Sequence, residues 1–344
     1  MAAESAQMAA EAGLLYVSCQ APGIRRVRAR NCFYYLTPAN RRLSSTAELR
    51  RIASLAVPPA YRNVWICPNP RGHLQATGLD ARGRKQYRYH PQWREVRDSA
   101  KFDRMLAFGE ALPKLRRRLN RDLALEGLPR DKVLAAVVKL LDTTCARIGN
   151  TEYARENKSF GLTTLRNRHV TFEGERAVLH FRGKGGVEHE LNIRDKRIVA
   201  IVQQCHELPG HHLFQNIAAN GRRCPVDSGQ VNDYLREAMG DDFTAKDFRT
   251  WGATLHALAL LARIPRDSEA SERAIKRIFA GVIKQVASVL RNTPAVCRKS
   301  YINPRVFDRW RSGALHGASG AILTGLSTRK AEALVLAFLR PAQN

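Results

Sequence analysis

The hydrophobic pattern of this chain changes period once, near Trp93, and that change constrains the fold more than any other feature. Before it, apolar residues come in short runs: Leu14-Leu15-Tyr16-Val17, Cys32-Phe33-Tyr34-Tyr35 and Val64-Trp65-Ile66-Cys67. Pro22-Gly23 separates the first two, and Pro58-Pro59 precedes the third. Runs of this length bounded by turn formers predict strands, so residues 15–90 read as a small, largely antiparallel β domain with one short helix near 46–55. After it, apolar residues fall three and four apart over 101–120 and 132–149, as Val133, Leu134, Val137, Val138 and Leu141 do, which is the helical period. One β interruption is expected at 170–194, where two apolar stretches flank Gly183-Lys184-Gly185-Gly186 in a hairpin pattern. Helices are expected again near 195–206, 228–239, 250–263, 271–290 and 328–340. The fold class is therefore α+β. The expected boundaries are a disordered tail over 1–13, a β-rich domain over 14–95 and a larger, mainly α-helical domain over 96–344.

A chain of 344 residues with 44% hydrophobic content can bury two cores. Its 57 Lys and Arg against 31 Asp and Glu give a formal charge of +26. An excess of that size favours a polyanionic partner. The bases run along the whole chain rather than in a tail. Seven cysteines, at 19, 32, 67, 145, 205, 224 and 297, form no C-x-x-C pair and no zinc spacing, which predicts reduced, mostly buried thiols. The first 13 residues carry two Glu and no Lys or Arg, unlike a secretory or mitochondrial signal. The longest mostly apolar stretch, 253–264, is too short to span a bilayer. A soluble cytoplasmic protein, with no membrane association, is expected.

Several chemistries find no support. Gly183-Lys184 is not a Walker A loop, because Val178 stands five positions before Gly183 and Gly185 replaces the required Ser or Thr. There is no H-E-x-x-H and no dense carboxylate cluster for two metals. The acidic pair Asp241-Asp242 reads as a helix-flanking turn. No metal, cofactor or small-molecule substrate is expected. Attack on a phosphodiester without metal needs a nucleophile, cations over the non-bridging oxygens and an acid for the leaving alkoxide. Arg suits the second role because its fork holds two oxygens and stays charged. A Lys on a mobile hairpin suits the third, and a Tyr the first. Four segments hold such residues: Cys145-Ala146-Arg147-Ile148-Gly149-Asn150, Phe181-Arg182-Gly183-Lys184-Gly185-Gly186, Lys246-Asp247-Phe248-Arg249-Thr250-Trp251-Gly252, and Asn292-Thr293-Pro294 followed by Lys299-Ser300-Tyr301-Ile302-Asn303-Pro304. Each alone reads more simply as structural: an Arg at its own helix end, a solvated turn lysine, a charged helix start, a half-buried Tyr before a turn.

Their joint occurrence in this order resembles the bacterial, poxvirus-like type IB DNA topoisomerases. The resemblance runs from Leu14 to Arg340 and includes residues 52–65 (IASLAVPPAYRNVW) and 72–90 (GHLQATGLDARGRKQYRYH). It implies two domains that clamp double-stranded DNA, two catalytic arginines at Arg147 and Arg249, a general-acid lysine at Lys184 and a nucleophile at Tyr301. It also implies a basic residue near the scissile phosphate at Lys246, DNA contacts at Gln86, Tyr87 and Tyr89, and a major-groove helix near 151–157 that brings Tyr153 or Lys158 to bases. Viral members carry His where this chain has Asn292. An Asn amide donates a hydrogen bond but does not shuttle a proton at neutral pH, so only oxygen binding is expected there.

The implied activity is relaxation of supercoiled DNA without ATP or metal. A 3′-phosphotyrosyl intermediate forms, the cut strand rotates, and the reverse attack reseals it. A monomer acting in the nucleoid is expected. A tyrosine recombinase shares the chemistry, but uses H-x-x-R where this chain has Lys246-x-x-Arg249, and usually brings a helical N-terminal domain. A non-catalytic basic nucleic-acid-binding protein would leave the ordered Arg, Lys, Arg, Asn and Tyr set as coincidence.

Overall fold

A computed structural model describes residues 2–30, 32–81, 83, 85–240, 243–267, 269–316 and 327–340. The Asp241-Asp242 pair lies outside them. The chain divides into two compact units, Met1–Lys101 and Phe102–Asn344.

The first unit is built on a five-stranded antiparallel sheet of order β2-β1-β3-β4-β5. The strands are β1 (Ile24–Ala29), β2 (Cys32–Leu36), β3 (Arg62–Ile66), β4 (Leu74–Leu79) and β5 (Lys85–Tyr89). Helix α2 (Thr46–Ser54) starts at Ser45, whose hydroxyl caps the Glu48 amide. Its buried Ile52 joins Ile24, Val64, Ile66 and Ala76 in the core of this unit. The 14–17 run forms no strand and contributes only an isolated bridge from Leu15 to Gly72. Residues 1–13 differ from expectation more sharply. Where a disordered tail is expected, Ala2–Glu11 form helix α1, and Ala9 and Leu14 are buried against Trp93. Alanine is the strongest helix former, and one aromatic anchor suffices to hold so small a face.

The division between units falls inside a long helix, α3 (Pro91–Asp122), rather than at residue 95. The second unit continues with α4 (Arg130–Thr144), α5 (Thr151–Asn157), α6 (Lys196–Glu207), α7 (Ser228–Met239), α8 (Ala245–Leu261), α9 (Glu272–Leu290), α10 (Pro294–Ser300), α11 (Arg305–Arg311) and α12 (Thr328–Leu339). The β interruption is a three-stranded antiparallel sheet, β6 (Val170–Glu173), β7 (Arg176–Arg182) and β8 (Glu188–Ile193), not a lone hairpin. A short β9–β10 pair, Gln215–Ile217 with Arg223–Pro225, follows.

One large core joins α4, buried along its length, to α3, α6, α7, α8 and α9. Two glycines permit the close approaches that matter for the site. A Cβ on Gly109 of α3 would lie 2.3 Å from the Trp251 ring, and one on Gly252 would lie 2.3 Å from Cys145 Sγ. Helix α8 therefore rests directly on α3 and on the end of α4. Arg116 then ties three helices at once: its guanidinium meets Asp142 of α4 at 3.0 Å and Glu332 of α12 at 2.7 Å. All seven cysteines are free, and Cys67, Cys145, Cys205 and Cys297 are buried. Among the described residues, no helix is long and apolar enough to cross a membrane.

Candidate active site

Helix ends build the site. α4 stops at Thr144 because Cys145 turns left-handed, with φ 54°. The chain then runs extended through Arg147, whose carbonyl accepts from Leu162 N at 3.0 Å. α9 stops in the same way at Arg291, φ 50°, and Asn292 follows with its amide on Ala287 O at 3.0 Å. A non-glycine residue in this conformation costs free energy, and here it is held twice, each time within two residues of a candidate catalytic side chain. Thr293 caps α10 through Val296 N, so the turn before Pro294 does not depend on Asn292.

Arg249 joins these ends. It stands in the first turns of α8, which a capping box of Thr244 and Asp247 begins. The side chain is buried, with the residue only 3% exposed. Nη1 donates to Cys145 O, and Nη2 donates to Leu290 O at 2.9 Å. Those oxygens are orphan acceptors at the C-terminal ends of two helices, where the helix dipole favours a cation. The Arg249 guanidinium also lies 5.1 Å from the Tyr301 ring centroid. Tyr301 closes α10, with its amide on Cys297 O at 3.0 Å. Below it, the wholly buried Thr254 of α8 places Oγ1 3.3 Å from Tyr301 O and accepts from Asn303 N at 3.1 Å.

Arg147 Nη2 donates to Asn292 Oδ1 at 2.6 Å. That bond commits the amide oxygen and leaves Nδ2 free to donate elsewhere. Three donors of this group, Arg147 Nη1, Arg249 Nε and Asn292 Nδ2, are shut off from solvent and meet no acceptor among the described residues. Buried donors are rarely left unmatched. Donors of this kind beside a half-buried phenol, which the Arg249 guanidinium also engages, are able to receive the oxygens of an anion. Burial pushes the Tyr301 phenol up, but Arg249, Arg147 and Lys246 outweigh it and hold the group below its ordinary value near 10. Cations favour the phenolate, so removing one must move the titration to higher pH. Lys246→Ala is accordingly expected to shift the limb on which the second-order cleavage rate rises with pH, as Tyr301 loses its proton, to higher pH. Rate profiles of the two proteins measure this, and an unmoved limb would mean that Tyr301 does not set it.

The structure thus brings Arg147, Arg249, Asn292 and Tyr301 together. Lys246 is exposed one turn before Arg249 on α8. Lys184 is exposed on the turn between β7 and β8 and shares no hydrogen bond with the other four among the described residues. In the first unit, β5 is an edge strand. Its Tyr87, 46% exposed, stacks on Tyr89 at 6.0 Å and 9°, and Gln86 Nε2 donates to Asp80 Oδ2 at 3.0 Å. The segment from 151 to 157 is helix α5, capped by the Asn150 side chain on Tyr153 N at 2.8 Å. Lys158 ends it, left-handed and exposed. Sequence reasoning missed His189, on β8, and Thr254. Neither carries a spacing signal, and each takes its place only from tertiary packing. A cavity of about 270 Å³ beside Arg249 is lined by Cys145, His189, Leu290 and Arg291 among others.

Comparison with known proteins shows the family. Residues 90–312 match the family described as the catalytic core of eukaryotic DNA topoisomerase I, and residues 32–80 match the N-terminal domain of bacterial DNA topoisomerase IB. The chain belongs to the type IB DNA topoisomerases. It is 34% identical over 285 residues to DNA topoisomerase 1B of Acanthamoeba polyphaga mimivirus, covering 81% of this chain and 85% of the relative. It is 24% identical to DNA topoisomerase 1 of Rabbit fibroma virus (strain Kasza), covering 67% and 70%, and 23% identical to DNA topoisomerase 1B of Vaccinia virus (strain Copenhagen), covering 72% and 75%. These relatives favour neither a tyrosine recombinase nor a non-catalytic binding protein.

Proposed function

We propose that this topoisomerase relaxes supercoiled DNA by a cycle in which Tyr301 is the nucleophile, Arg147, Arg249 and Asn292 hold the scissile phosphate, and Lys184 is the general acid. The observation that carries the assignment is the set of three solvent-free, unmatched donors around Tyr301. In this cycle the Tyr301 oxygen attacks phosphorus as its proton passes to solvent water. The bond to the 5′-oxygen breaks in line, and the departing oxygen takes a proton from Lys184. A 3′-phosphotyrosyl link conserves the phosphodiester bond energy while the cut strand rotates, and the 5′-hydroxyl reverses the step. Arg147 and Arg249 act on charge that grows in the transition state, where fixed donors in a water-poor site are most effective. Lys246, Tyr153 and Lys158 are proposed to contact DNA from the second unit. Gln86, Tyr87 and Tyr89 are proposed to do so from the β5 edge of the first. Monomeric action on the nucleoid in the cytoplasm completes the proposal.

Plasmid relaxation in EDTA without ATP tests this most directly. Full activity is expected, together with a covalent adduct on detergent quenching; loss of activity in EDTA overturns a metal-free cycle. Relaxation should also fall steeply with salt, because each phosphate contact releases counterions.

Asn292→Ala is expected to slow cleavage and resealing alike by about 10²–10³-fold, the usual effect of one lost donor to transition-state charge, with no change in either pH profile. Single-turnover rates in both directions measure it. Because Thr293 caps the following helix, a near-normal rate would leave Asn292 with only its bond to Arg147.

A further inference from the structure

We propose that His189 is a positioning residue for the general acid: its ring is the seat on which the backbone just before Lys184 rests, and so decides where the lysine stands over the cut site. The inference rests on Lys184 acting as the acid.

The turn that carries Lys184 contains three glycines, and they are there for different reasons. Gly185 and Gly186 have φ of +77° and +81°, which a side chain rarely adopts. Gly183 has φ −95° and ψ −164°, an extended conformation open to any residue. What forbids a side chain at 183 is space: a Cβ there would lie 2.5 Å from both Cδ2 and Nε2 of His189. The Cδ2–Nε2 edge of the imidazole therefore faces the peptide that leads into Lys184. The ring cannot step aside. His189 pairs with Phe181 across β7 and β8, the two rings stack at 4.9 Å and 7°, and the residue is only 6% exposed. The turn is pinned from its other end by Gly183 N donating to Val187 O at 2.8 Å.

A histidine is a costly residue for packing alone. Its Nε2 is shut off from solvent and has no partner among the described residues, a loss that an apolar ring would avoid. Burial, followed by the charges of Arg147, Arg249 and Arg291, pulls the imidazole down to about 4. A ring held toward its neutral form adds no positive charge beside the turn that carries Lys184. A polar, neutral, immobile ring is suited to hold a cationic turn close to two catalytic arginines. One side of His189 faces the Lys184 turn. His189 also lines the cavity that includes Arg249 and Cys145, and its imidazole feels the charges of Arg147 and Arg249.

The experiment compares single-turnover cleavage of two DNA strands, one ordinary and one with sulfur at the bridging 5′ position of the scissile phosphate. A thiolate leaves without a proton, so the sulfur strand does not need the general acid, whose contribution is typically 10²–10⁴-fold. Lys184→Ala should cleave the ordinary strand poorly and the sulfur strand at close to the normal rate. His189→Ala should lose about 100-fold on the ordinary strand and no more than about threefold on the sulfur strand. Gly183→Ala, which drives a methyl group into the ring, should show the same selective defect. His189→Ala combined with Gly183→Ala should be no slower than His189→Ala alone, because removing the ring makes room for the methyl group. Equal loss on both strands for His189→Ala, or no loss on either, overturns the proposal. If sulfur restores Lys184→Ala but not Gly183→Ala, the seat is wrong while the acid stands. If sulfur fails to restore Lys184→Ala, the acid itself is misassigned and the inference falls with it.

Discussion

Tyr301→Phe is expected to abolish the covalent protein–DNA adduct while DNA binding stays within a few-fold of the original protein. Only the phenol oxygen is removed. The ring keeps its place beside Arg249, and the backbone keeps its bonds to Cys297 and to the Thr254 hydroxyl. The donors proposed for the phosphate lie on other elements, at the ends of α4 and α9 and in α8. The change leaves the formal net charge of the chain at +26, and phosphate contacts dominate affinity for DNA. Detergent trapping on a nicked-strand substrate measures the adduct, and filter binding measures the affinity. An adduct formed by the Phe protein would place the nucleophile elsewhere and undo the assignment of the whole site.

The second large effect is expected at Arg249. Arg249→Ala should lower the cleavage rate by at least about 10³-fold, above the range for one lost donor, because three functions go together: charge for the phosphate, charge for the developing phenolate and the tie between two helix ends. Arg249→Lys should recover little of this. A lysine carries one ammonium at the end of a flexible stem, whereas the guanidinium fork reaches Cys145 O and Leu290 O at once. Stability should respond as well as activity. Removing the side chain leaves two buried carbonyls unpaired, at about 1–3 kcal/mol each. It also relieves the repulsion between Arg249 and Arg147, which is felt as a lowering of the Arg147 guanidinium below its usual value, after the larger effect of burial. The two contributions oppose, so the melting temperature is expected to fall, but by less than the two unpaired carbonyls alone would give. A Lys variant within tenfold of the original rate would show that charge alone suffices at this position.

The two-part organisation is legible in the sequence because the hydrophobic period itself changes near Trp93, and the Gly183–Gly186 cluster announces a turn wherever its strands lie. Helix α8 is legible too, but its start is better read from Thr244 and Asp247, a capping box, than from apolar spacing, which suggests residue 250. The end of α4 is not legible. Apolar spacing continues to residue 149, and only the left-handed turn at Cys145, held by tertiary contacts, stops the helix at Thr144. Helix α1 escapes notice because a face of alanines looks like a polar tail until Trp93 is placed against it. The same division holds for the site. Residue types in order suggest Arg147, Lys184, Arg249, Asn292 and Tyr301. The Asn292–Arg147 bond, the carbonyls taken by Arg249, and the packing of His189 under Gly183 depend on where helices and strands end, which spacing does not reveal.

The way Arg249 gathers the ends of α4 and α9 has a bearing on the life of the chain before it is finished. The groups brought together run from Cys145 to Tyr301 in the sequence, and no short stretch contains more than a fragment of them. The tyrosine has its cationic neighbours only after α4, α8, α9 and α10 have docked. A newly made or partly melted polypeptide is basic enough to cling to DNA but lacks the means to break it. Under the proposed roles, nicking is thereby reserved for molecules that have completed their folding.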